Sequence, residues 1–196
     1  FVPVCKASMD ELAMGGTNLT AVTGPVRNPY DLNRISGGSS GGSAVLVASG
    51  ALSCAIGSDT GDSIRKPASY CGIVGVKPTY GRISRYGIIP YSSSLDHVGY
   101  FTTNVKDAAL ALEVLAGRDD RDMTSSQLPV EDYSKNLNAD VKGRKILVFK
   151  NVTDAISNKD VLESFNKVVD GLREKGAVIE EVYFDETLMR AILPTY

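Results

Sequence analysis

The sequence has no tryptophan, a single histidine and only three cysteines among its 196 residues. Because His97 is the only histidine and the cysteines lack the spacing of metal-binding pairs, the composition argues against a zinc site. Cys54 and Cys71 lie in apolar stretches, whereas Cys5 is close to the N-terminus. We therefore expect Cys54 and Cys71 to be buried, reduced thiols of a cytoplasmic protein.

Long hydrophobic runs and an excess of basic charge are also missing. No run approaches the roughly 18 apolar residues that a membrane span needs, and the first residues do not follow a secretory signal pattern. The formal net charge is −2, whereas domains that grip nucleic acid usually carry a basic face. The composition predicts no membrane segment and no direct contact with nucleic acid.

The two ends of the chain lack the features of complete termini. There is no initiator methionine, residues 1–4 do not begin a helix or strand, and residues 193–196 do not complete one. We expect a piece of a longer polypeptide.

Two glycine-flanked serine loops are the strongest positive signal. The first covers residues 37–44, Gly-Gly-Ser-Ser-Gly-Gly-Ser-Ala, and the second covers residues 57–68, Gly-Ser-Asp-Thr-Gly-Asp-Ser-Ile-Arg-Lys-Pro-Ala. Glycine lets a backbone approach another backbone or a substrate where a Cβ would clash. Serine is a nucleophile only when another group takes its proton. The pair of loops indicates a serine hydrolase site whose base has to be identified.

Three alternatives compete with this interpretation. A Ser-His-Asp triad would need His97 as its base, although a structural or surface role suits this histidine far better. Residues 37–42 could cradle an anion at a helix N-terminus, but neither nucleotide-binding glycine pattern follows them. A flexible Gly/Ser linker is the third alternative, and the apolar segment 44–56 between the loops argues against it.

The periodicity of the chain predicts an α/β fold in which helices cover a sheet. Strand, helix and strand over residues 141–196 predict parallel pairing, because a crossover of this length joins parallel strands. The predicted helices are residues 8–16 (N-cap Ser8, capping box with Glu11), Ser43–Ser49, 104–117 and Asn158–Lys175, the last with Val161, Phe165, Val168 and Leu172 inward. The predicted strands are Leu52–Ile56, Ile73–Val76, Lys145–Phe149 and Ala177–Tyr183, while residues 17–36 and 79–100 lack a clear pattern.

Both serine loops resemble the signature of the amidase signature family. Further stretches are similar to the A subunits of aspartyl/glutamyl-tRNA(Asn/Gln) amidotransferases; they are Lys6-Ala-Ser-Met-Asp-Glu-Leu-Ala-Met-Gly, Asn28-Pro-Tyr-Asp, Val76-Lys-Pro-Thr-Tyr-Gly-Arg-Ile-Ser-Arg-Tyr-Gly and Ser94-Leu-Asp-His. The resemblance is dense over residues 5–117. It implies part of the amidase signature fold, a mixed sheet covered by helices on both faces. It also implies one amidase domain across residues 1–196, with 118–140 as a polar excursion and 141–196 as a strand-helix-strand continuation.

The resemblance implies a Ser–cis-Ser–Lys mechanism. Ser63 corresponds to the nucleophile that forms the acyl ester, and Ser39 corresponds to the bridging serine, which follows a cis Gly38–Ser39 peptide. Backbone N–H groups of Thr60, Gly61, Asp62 and Ser63 would face the oxyanion. Asp59 and Arg65 would form an ion pair that braces the loop.

Two departures from the family pattern stand out. The family's lysine lies upstream of Phe1, and Lys6 and Lys77 belong to other motifs, so this stretch alone is expected to be nearly inactive. The family usually has glycine where this chain has Asp62, and a carboxylate about 4 Å from the oxyanion would cost about 4 kcal/mol at an effective dielectric constant of 20. We expect Asp62 to point away from the oxyanion, toward Lys66 or solvent.

The resemblance implies a glutaminase component that supplies ammonia for amidation of Glu-tRNA(Gln) or Asp-tRNA(Asn). ATP and magnesium would belong to a kinase-like, tRNA-binding B subunit, with a small C subunit completing a heterotrimer, and this chain would hold no cofactor. Two alternatives stay open. One is a stand-alone amidase of another small amide, and the other is a catalytically silent scaffold.

Overall fold

The computed structural model describes residues 2–135, 137–138 and 140–195. The chain divides into two compact units, Phe1–Leu137 and Asn138–Tyr196, and each is described by itself. The assignment of both units to one amidase domain stays a prediction.

The first unit is built from a small hairpin, a three-stranded sheet and three α-helices. The elements in chain order are β1 (Arg27–Asn28), β2 (Asp31–Ile35), α1 (Gly41–Ala48), β3 (Cys54–Asp59), α2 (Arg65–Tyr70), β4 (Val74–Val76), β5 (His97–Thr102) and α3 (Val105–Leu115). The sheet has the order β3-β5-β4, and β5 is antiparallel to both neighbours. β3 and β4 thereby flank a central strand, and the turn after β3 carries the second serine loop.

Helices cover both faces of this sheet because neighbouring residues of a strand point to opposite sides. Phe101 of β5 is fully buried against Ala44 and Val47 of α1 and Ala68 of α2. The adjacent Tyr100 is buried on the other face with Ala108 of α3, whose carbonyl accepts its hydroxyl hydrogen bond at 2.5 Å. The predicted α/β class with helices on both faces is confirmed.

The predicted helix over residues 8–16 is wrong. The structure has only a 3-10 turn, Glu11–Ala13, in which Leu12 and Ala13 have positive φ. Ser8 caps nothing, and its hydroxyl pairs with that of Thr23 at 2.6 Å. The physical reason is that backbone groups of Ser8, Asp10 and Gly16 bond to the first serine loop, and only the short turn around Glu11 keeps bonds within the segment.

Other predicted elements of this unit agree with the structure to within a few residues. α1, β3, β4 and α3 correspond to the predicted helices and strands, and Asn104 caps α3 by accepting a hydrogen bond from the backbone N–H of Asp107 at 2.9 Å. The hairpin of β1 and β2 lies within residues 17–36, and β5 begins within residues 79–100, so both were missed. Glycine, proline and serine interrupt both stretches, so the alternating pattern that identifies a short strand is missing.

The second unit is a parallel strand pair with three helices. Its elements are β6 (Lys145–Phe149), α4 (Lys150–Thr153), α5 (Lys159–Glu174), β7 (Val178–Val182) and α6 (Glu186–Thr195). β6 and β7 pair in parallel with Lys145 opposite Val178, as predicted. Asn158 caps α5 by accepting hydrogen bonds from Asp160 and Val161.

The predicted inward face of α5 is partly wrong. Val161 and Val168 are exposed, and Phe165 is at the edge of exposure. Leu172 is half-buried, as predicted, but Leu162 and Val169 are half-buried in place of the other three, so the helix is rotated from the predicted face. The apolar stripe is wide enough to permit either rotation, and the contact with the sheet selects one. Among the helices in the described ranges, none has both the length and the apolarity to cross a membrane.

Candidate active site

The first serine loop leads directly into α1. Ser39 is fully buried, and the Gly38–Ser39 peptide bond is cis, as the family resemblance implied. A Cβ on Gly38 would lie 2.2 Å from Oδ2 of Asp10, so only glycine fits at this position.

Residues 8–18 surround this loop with hydrogen bonds. The backbone N–H of Asp10 donates to the carbonyl of Ser39 at 3.0 Å, and the N–H of Gly38 donates to the carbonyl of Gly16 at 3.0 Å. The side-chain oxygen of Asn18 accepts from the N–H of Gly41 at 2.8 Å. The loop is therefore held from outside, at both ends of the cis peptide.

Asp10 is the centre of this support. It is fully buried, and its carboxylate accepts hydrogen bonds from the N–H of Asn18 at 2.8 Å and the hydroxyl of Thr20 at 2.7 Å. Neither Asp10 nor Asn18 was identified from the sequence as a site residue. Asp10 lies within the predicted helix and Asn18 in the irregular stretch after it, so no local pattern marked either residue.

The second serine loop is the turn between β3 and α2. Ser63 is buried with 6% of its surface exposed. The N–H of Ser40 donates a hydrogen bond to the carbonyl of Ser63 at 3.1 Å, so the two loops lie against each other. Ser40 also clamps the end of β3, because its hydroxyl donates to the carbonyl of Ser58 and accepts from the N–H of Ser58, each at 3.1 Å. Ser40 was another supporting residue that sequence reasoning missed.

The hydroxyl oxygen of Ser39 is buried and has no hydrogen-bond partner within the described residues. The loops that carry Ser39 and Ser63 are thus adjacent, but their hydroxyls are not hydrogen-bonded to each other. Catalytic hydrogen bonds are often long before substrate binds. A buried hydroxyl costs free energy when unpaired, so this position suits a group that gains a partner during a reaction.

Asp59 and Arg65 form the predicted ion pair at the base of the Ser63 turn. Asp59 is fully buried, and its Oδ1 lies 2.9 Å from a terminal nitrogen of Arg65, which also donates to the carbonyl of Gly61. Burial alone would raise the pKa of Asp59, but hydrogen bonds from the Arg65 side chain and the Ile64 N–H outweigh it and lower this pKa. The pair fastens both ends of the turn.

The turn itself presents unpaired hydrogen-bond donors. In the part of the chain that the structure describes, the backbone N–H groups of Gly61, Asp62 and Ser63 make no hydrogen bond. The hydroxyl of Thr60 donates to Asp96 at 2.5 Å, which anchors the start of the turn. Adjacent unpaired N–H groups in a turn form a concave site for an anionic oxygen.

Asp62 points toward Lys66, in line with the expectation from the sequence. Its carboxylate lies 2.8 Å from Nζ of Lys66, and the two side chains are 48% and 30% exposed respectively. The carboxylate is therefore paired in this structure.

His97 and Lys77 contact each other, and Lys6 lies at the surface. His97 contacts the carbonyl of Leu95 through Nδ1 at 2.6 Å and Lys77 through Nε2 at 3.3 Å. Lys6 is exposed. Among the described residues, His97 is thus hydrogen-bonded to groups other than the hydroxyls of Ser39 and Ser63.

The cysteines lie apart from this arrangement and are all free thiols. Cys71 is buried, Cys54 is half-buried and Cys5 is exposed. Burial raises the pKa of Cys71 to about 11 and also raises the pKa of Cys54. Burial is therefore complete for one of the two thiols expected to be buried and partial for the other.

The sequence model of the Amidase family matches residues 1–193, and the chain belongs to the amidase signature family. It is 52% identical over 93% of its length to the A subunit of a glutamyl-tRNA(Gln) amidotransferase of Bdellovibrio bacteriovorus and 49% identical over 97% of its length to that of Koribacter versatilis. It covers 37% and 39% of those relatives, so it spans about two fifths of their length.

Solved structures give the same result. The crystal structure of the A subunit of the Thermotoga maritima glutamyl-tRNA(Gln) amidotransferase matches with a TM-score of 0.90 and 44% identity, covering 93% of this chain and 40% of that one. The native peptide amidase of Stenotrophomonas maltophilia matches with a TM-score of 0.84 and 36% identity, covering 92% of this chain and 38% of that one. The amidase signature fold is thereby established.

Proposed function

We propose that the protein is the glutaminase component of a tRNA-dependent amidotransferase. It hydrolyses the side-chain amide of glutamine and supplies ammonia for the amidation of Glu-tRNA(Gln) or Asp-tRNA(Asn). The observation that carries this proposal is the contact between the Ser39 and Ser63 loops, through Ser40, in a chain about half identical to the A subunits of such enzymes.

In this proposal Ser63 is the nucleophile. Its Oγ bonds to the amide carbon of glutamine, and its proton passes to Ser39 and onward to a neutral lysine. The tetrahedral intermediate then breaks its C–N bond, and the departing nitrogen takes a proton from the Ser39 relay and leaves as ammonia. Water attacks the resulting glutamyl ester in the same way, which releases glutamate and restores the Ser63 hydroxyl.

The unpaired N–H groups of the Ser63 turn would bind the oxyanion that forms in both steps. A single well-placed donor of this kind contributes about 3–4 kcal/mol to the stability of the transition state. Gly61, Asp62 and Ser63 provide three such donors in the described structure, with Thr60 at the start of the turn. Asp59 and Arg65 would keep the turn in this geometry.

The relay ends on a lysine from another part of the complete protein. The buried, unpaired hydroxyl of Ser39 supports a proton acceptor supplied from outside the described residues. Residues 1–196 alone should therefore hydrolyse glutamine poorly. In the complete assembly, a kinase-like B subunit would bind tRNA and use ATP and Mg²⁺, and a small C subunit would complete a heterotrimer in the cytoplasm.

A stand-alone amidase acting on another small amide is the second candidate. The similarity to a peptide amidase favours it, because that enzyme has the same fold. A catalytically silent scaffold is the third candidate. Asp62 supports it, because this residue places a carboxylate at the turn that would bind the oxyanion.

Hydroxylamine trapping separates these candidates. The complete protein, purified with its partners, should form the hydroxamate of glutamate from glutamine, and Ser63→Ala should abolish it. Co-purification of two unlike subunits would favour the amidotransferase, whereas amide hydrolysis without partners would favour the stand-alone amidase. Equal trapping by wild type and Ser63→Ala would contradict the proposed nucleophile.

A further inference from the structure

The Ser63 turn carries a negative charge beside its own unpaired donors. Asp62 lies between Gly61 and Ser63, and the N–H groups of all three residues lack a hydrogen-bond partner among the described residues. A carboxylate so close could occupy these donors or repel an anionic oxygen bound to them. In the structure, its contact with Lys66 keeps it occupied elsewhere.

The geometry of the pair is that of neighbours on a helix. Lys66 follows Asp62 by four positions, and its backbone N–H donates to the carbonyl of Asp62 at 2.8 Å. An acid placed four residues before a base is the favourable order for such a pair. The guanidinium of the neighbouring Arg65 is bound by Asp59 and by the Gly61 carbonyl. Among the described residues, Lys66 is thus the cation that forms an ion pair with Asp62, and Arg65 is near enough to interact with this carboxylate electrostatically.

The ammonium group of Lys66 has a defined position in the structure. It lies against Gly16, where an added Cβ would be 2.7 Å from Nζ. The carbonyl of Gly16 accepts the hydrogen bond from Gly38, the residue before Ser39. The ammonium therefore lies between the Ser63 turn and the segment that supports the Ser39 loop, and the lysine side chain is more buried than the aspartate side chain that it binds.

We propose that Lys66 is a positioning residue that holds the Asp62 carboxylate away from the oxyanion site of the Ser63 turn. This inference rests on the proposed glutaminase function. Lys66 neither touches substrate nor transfers a proton. Its effect acts through Asp62, so a change at Lys66 should matter only while Asp62 carries its carboxylate.

A double-mutant cycle in the complete, partner-bound protein tests this dependence. Lys66→Met should lower kcat for glutamine hydrolysis about three- to tenfold with little change in KM, because the freed carboxylate opposes the charged transition state more than the neutral substrate. Lys66→Arg should retain most activity, and Asp62→Gly alone supplies the reference kcat against which the double variant is compared. Lys66→Met combined with Asp62→Gly should match Asp62→Gly alone.

One further variant separates positioning from general damage. Lys150→Met removes a lysine from another such pair, Lys150–Asp154, in the second unit and should leave kcat unchanged. Thermal unfolding of each variant checks that the fold is intact.

The outcomes are distinct. Unchanged kcat in Lys66→Met, or a loss that Asp62→Gly does not relieve, overturns the inference while Ser63-dependent glutaminase activity stands. Activity that survives Ser63→Ala overturns both the inference and the proposed function.

Discussion

The backbone N–H of Ser40 donates a hydrogen bond to the carbonyl of Ser63 at 3.1 Å. This bond joins two loops that lie at opposite ends of an apolar segment formed by α1 and β3. Ser39, which is predicted to relay a proton, directly precedes Ser40 and therefore lies next to this contact with Ser63, the predicted nucleophile. The predictions below concern the groups that hold this contact in place.

Arg65→Met should destabilise the protein more than most substitutions in this region. It leaves the fully buried carboxylate of Asp59 without its cation, and breaking a buried pair in this way costs about 3–5 kcal/mol. Since Arg65 itself is half exposed, we expect the lower end of that range. Urea unfolding of the complete protein measures the loss. Arg65→Met combined with Asp59→Asn should cost less than the sum of the two single changes, and full additivity would show that the pair does not interact.

The same pair should make stability depend on pH in one direction. The pKa of Asp59 is lowered in the folded state, so its ionised form stabilises the fold. This contribution is complete above the ordinary aspartate pKa of about 4 and is lost as the pH falls through the lowered folded value. The difference in unfolding free energy between wild type and Asp59→Asn should therefore be constant from pH 7 to about pH 5 and shrink in more acidic solution. A difference that grows on acidification would contradict the assigned sign.

Gly38→Ala should disrupt the Ser39 loop, because the new Cβ would lie 2.2 Å from the buried carboxylate of Asp10. Overpacking of this kind typically costs about 1–3 kcal/mol. Gly171→Ala is the matched control, since nothing lies within 4 Å of its added Cβ in α5. That change should raise stability by about 0.5–1 kcal/mol through helix propensity. Comparable stability of both variants in thermal unfolding would show that the close packing around Gly38 is wrong.

The three cysteines should differ in their reactivity toward iodoacetamide. The thiolate is the reactive form, and Cys71 combines burial with a pKa of about 11. At pH 8 the native, complete protein should be alkylated at Cys54 more slowly than denatured protein and at Cys71 only after denaturation. Peptide mass spectrometry identifies each site. Rapid labelling of Cys71 in native protein would contradict its place in the core between α2 and the sheet.

Much of the fold follows from local sequence signals. The strand–helix–strand unit over residues 145–182 was predicted in class, order and parallel pairing, because a long amphipathic helix between two apolar strands leaves few alternatives. The start of α3 at Asn104 and its end near Gly117 were also predicted. In each case the signal lies within about twenty residues of the element that it specifies.

The missed features depend on distant contacts. Residues 8–16 carry helix signals, yet Asp10 and Gly16 bond to the Ser39 loop, and these tertiary bonds outweigh local propensity. β5 is the central strand of its sheet, but its neighbouring residues have no clear periodicity. The rotation of α5 likewise depends on which part of a broad apolar stripe meets the sheet.

The candidate site was predicted from the family resemblance more than from periodicity. Glycine and serine content alone indicated a hydrolase and left the base open. The resemblance selected Ser39 and Ser63 and implied the cis peptide that the structure contains. The supporting residues Asp10, Asn18 and Ser40 could not be identified in this way, because their roles depend on partners that only the folded chain brings together.

The most direct test of the central claim is the site of acylation. The complete, partner-bound protein is incubated with glutamine, quenched in acid and digested, and the peptide that contains Ser63 is examined by mass spectrometry. We predict a glutamyl ester on Ser63 that is absent from Ser63→Ala and strongly reduced in Ser39→Ala. A glutamyl adduct on another residue, or Ser63-independent release of ammonia, would contradict the account.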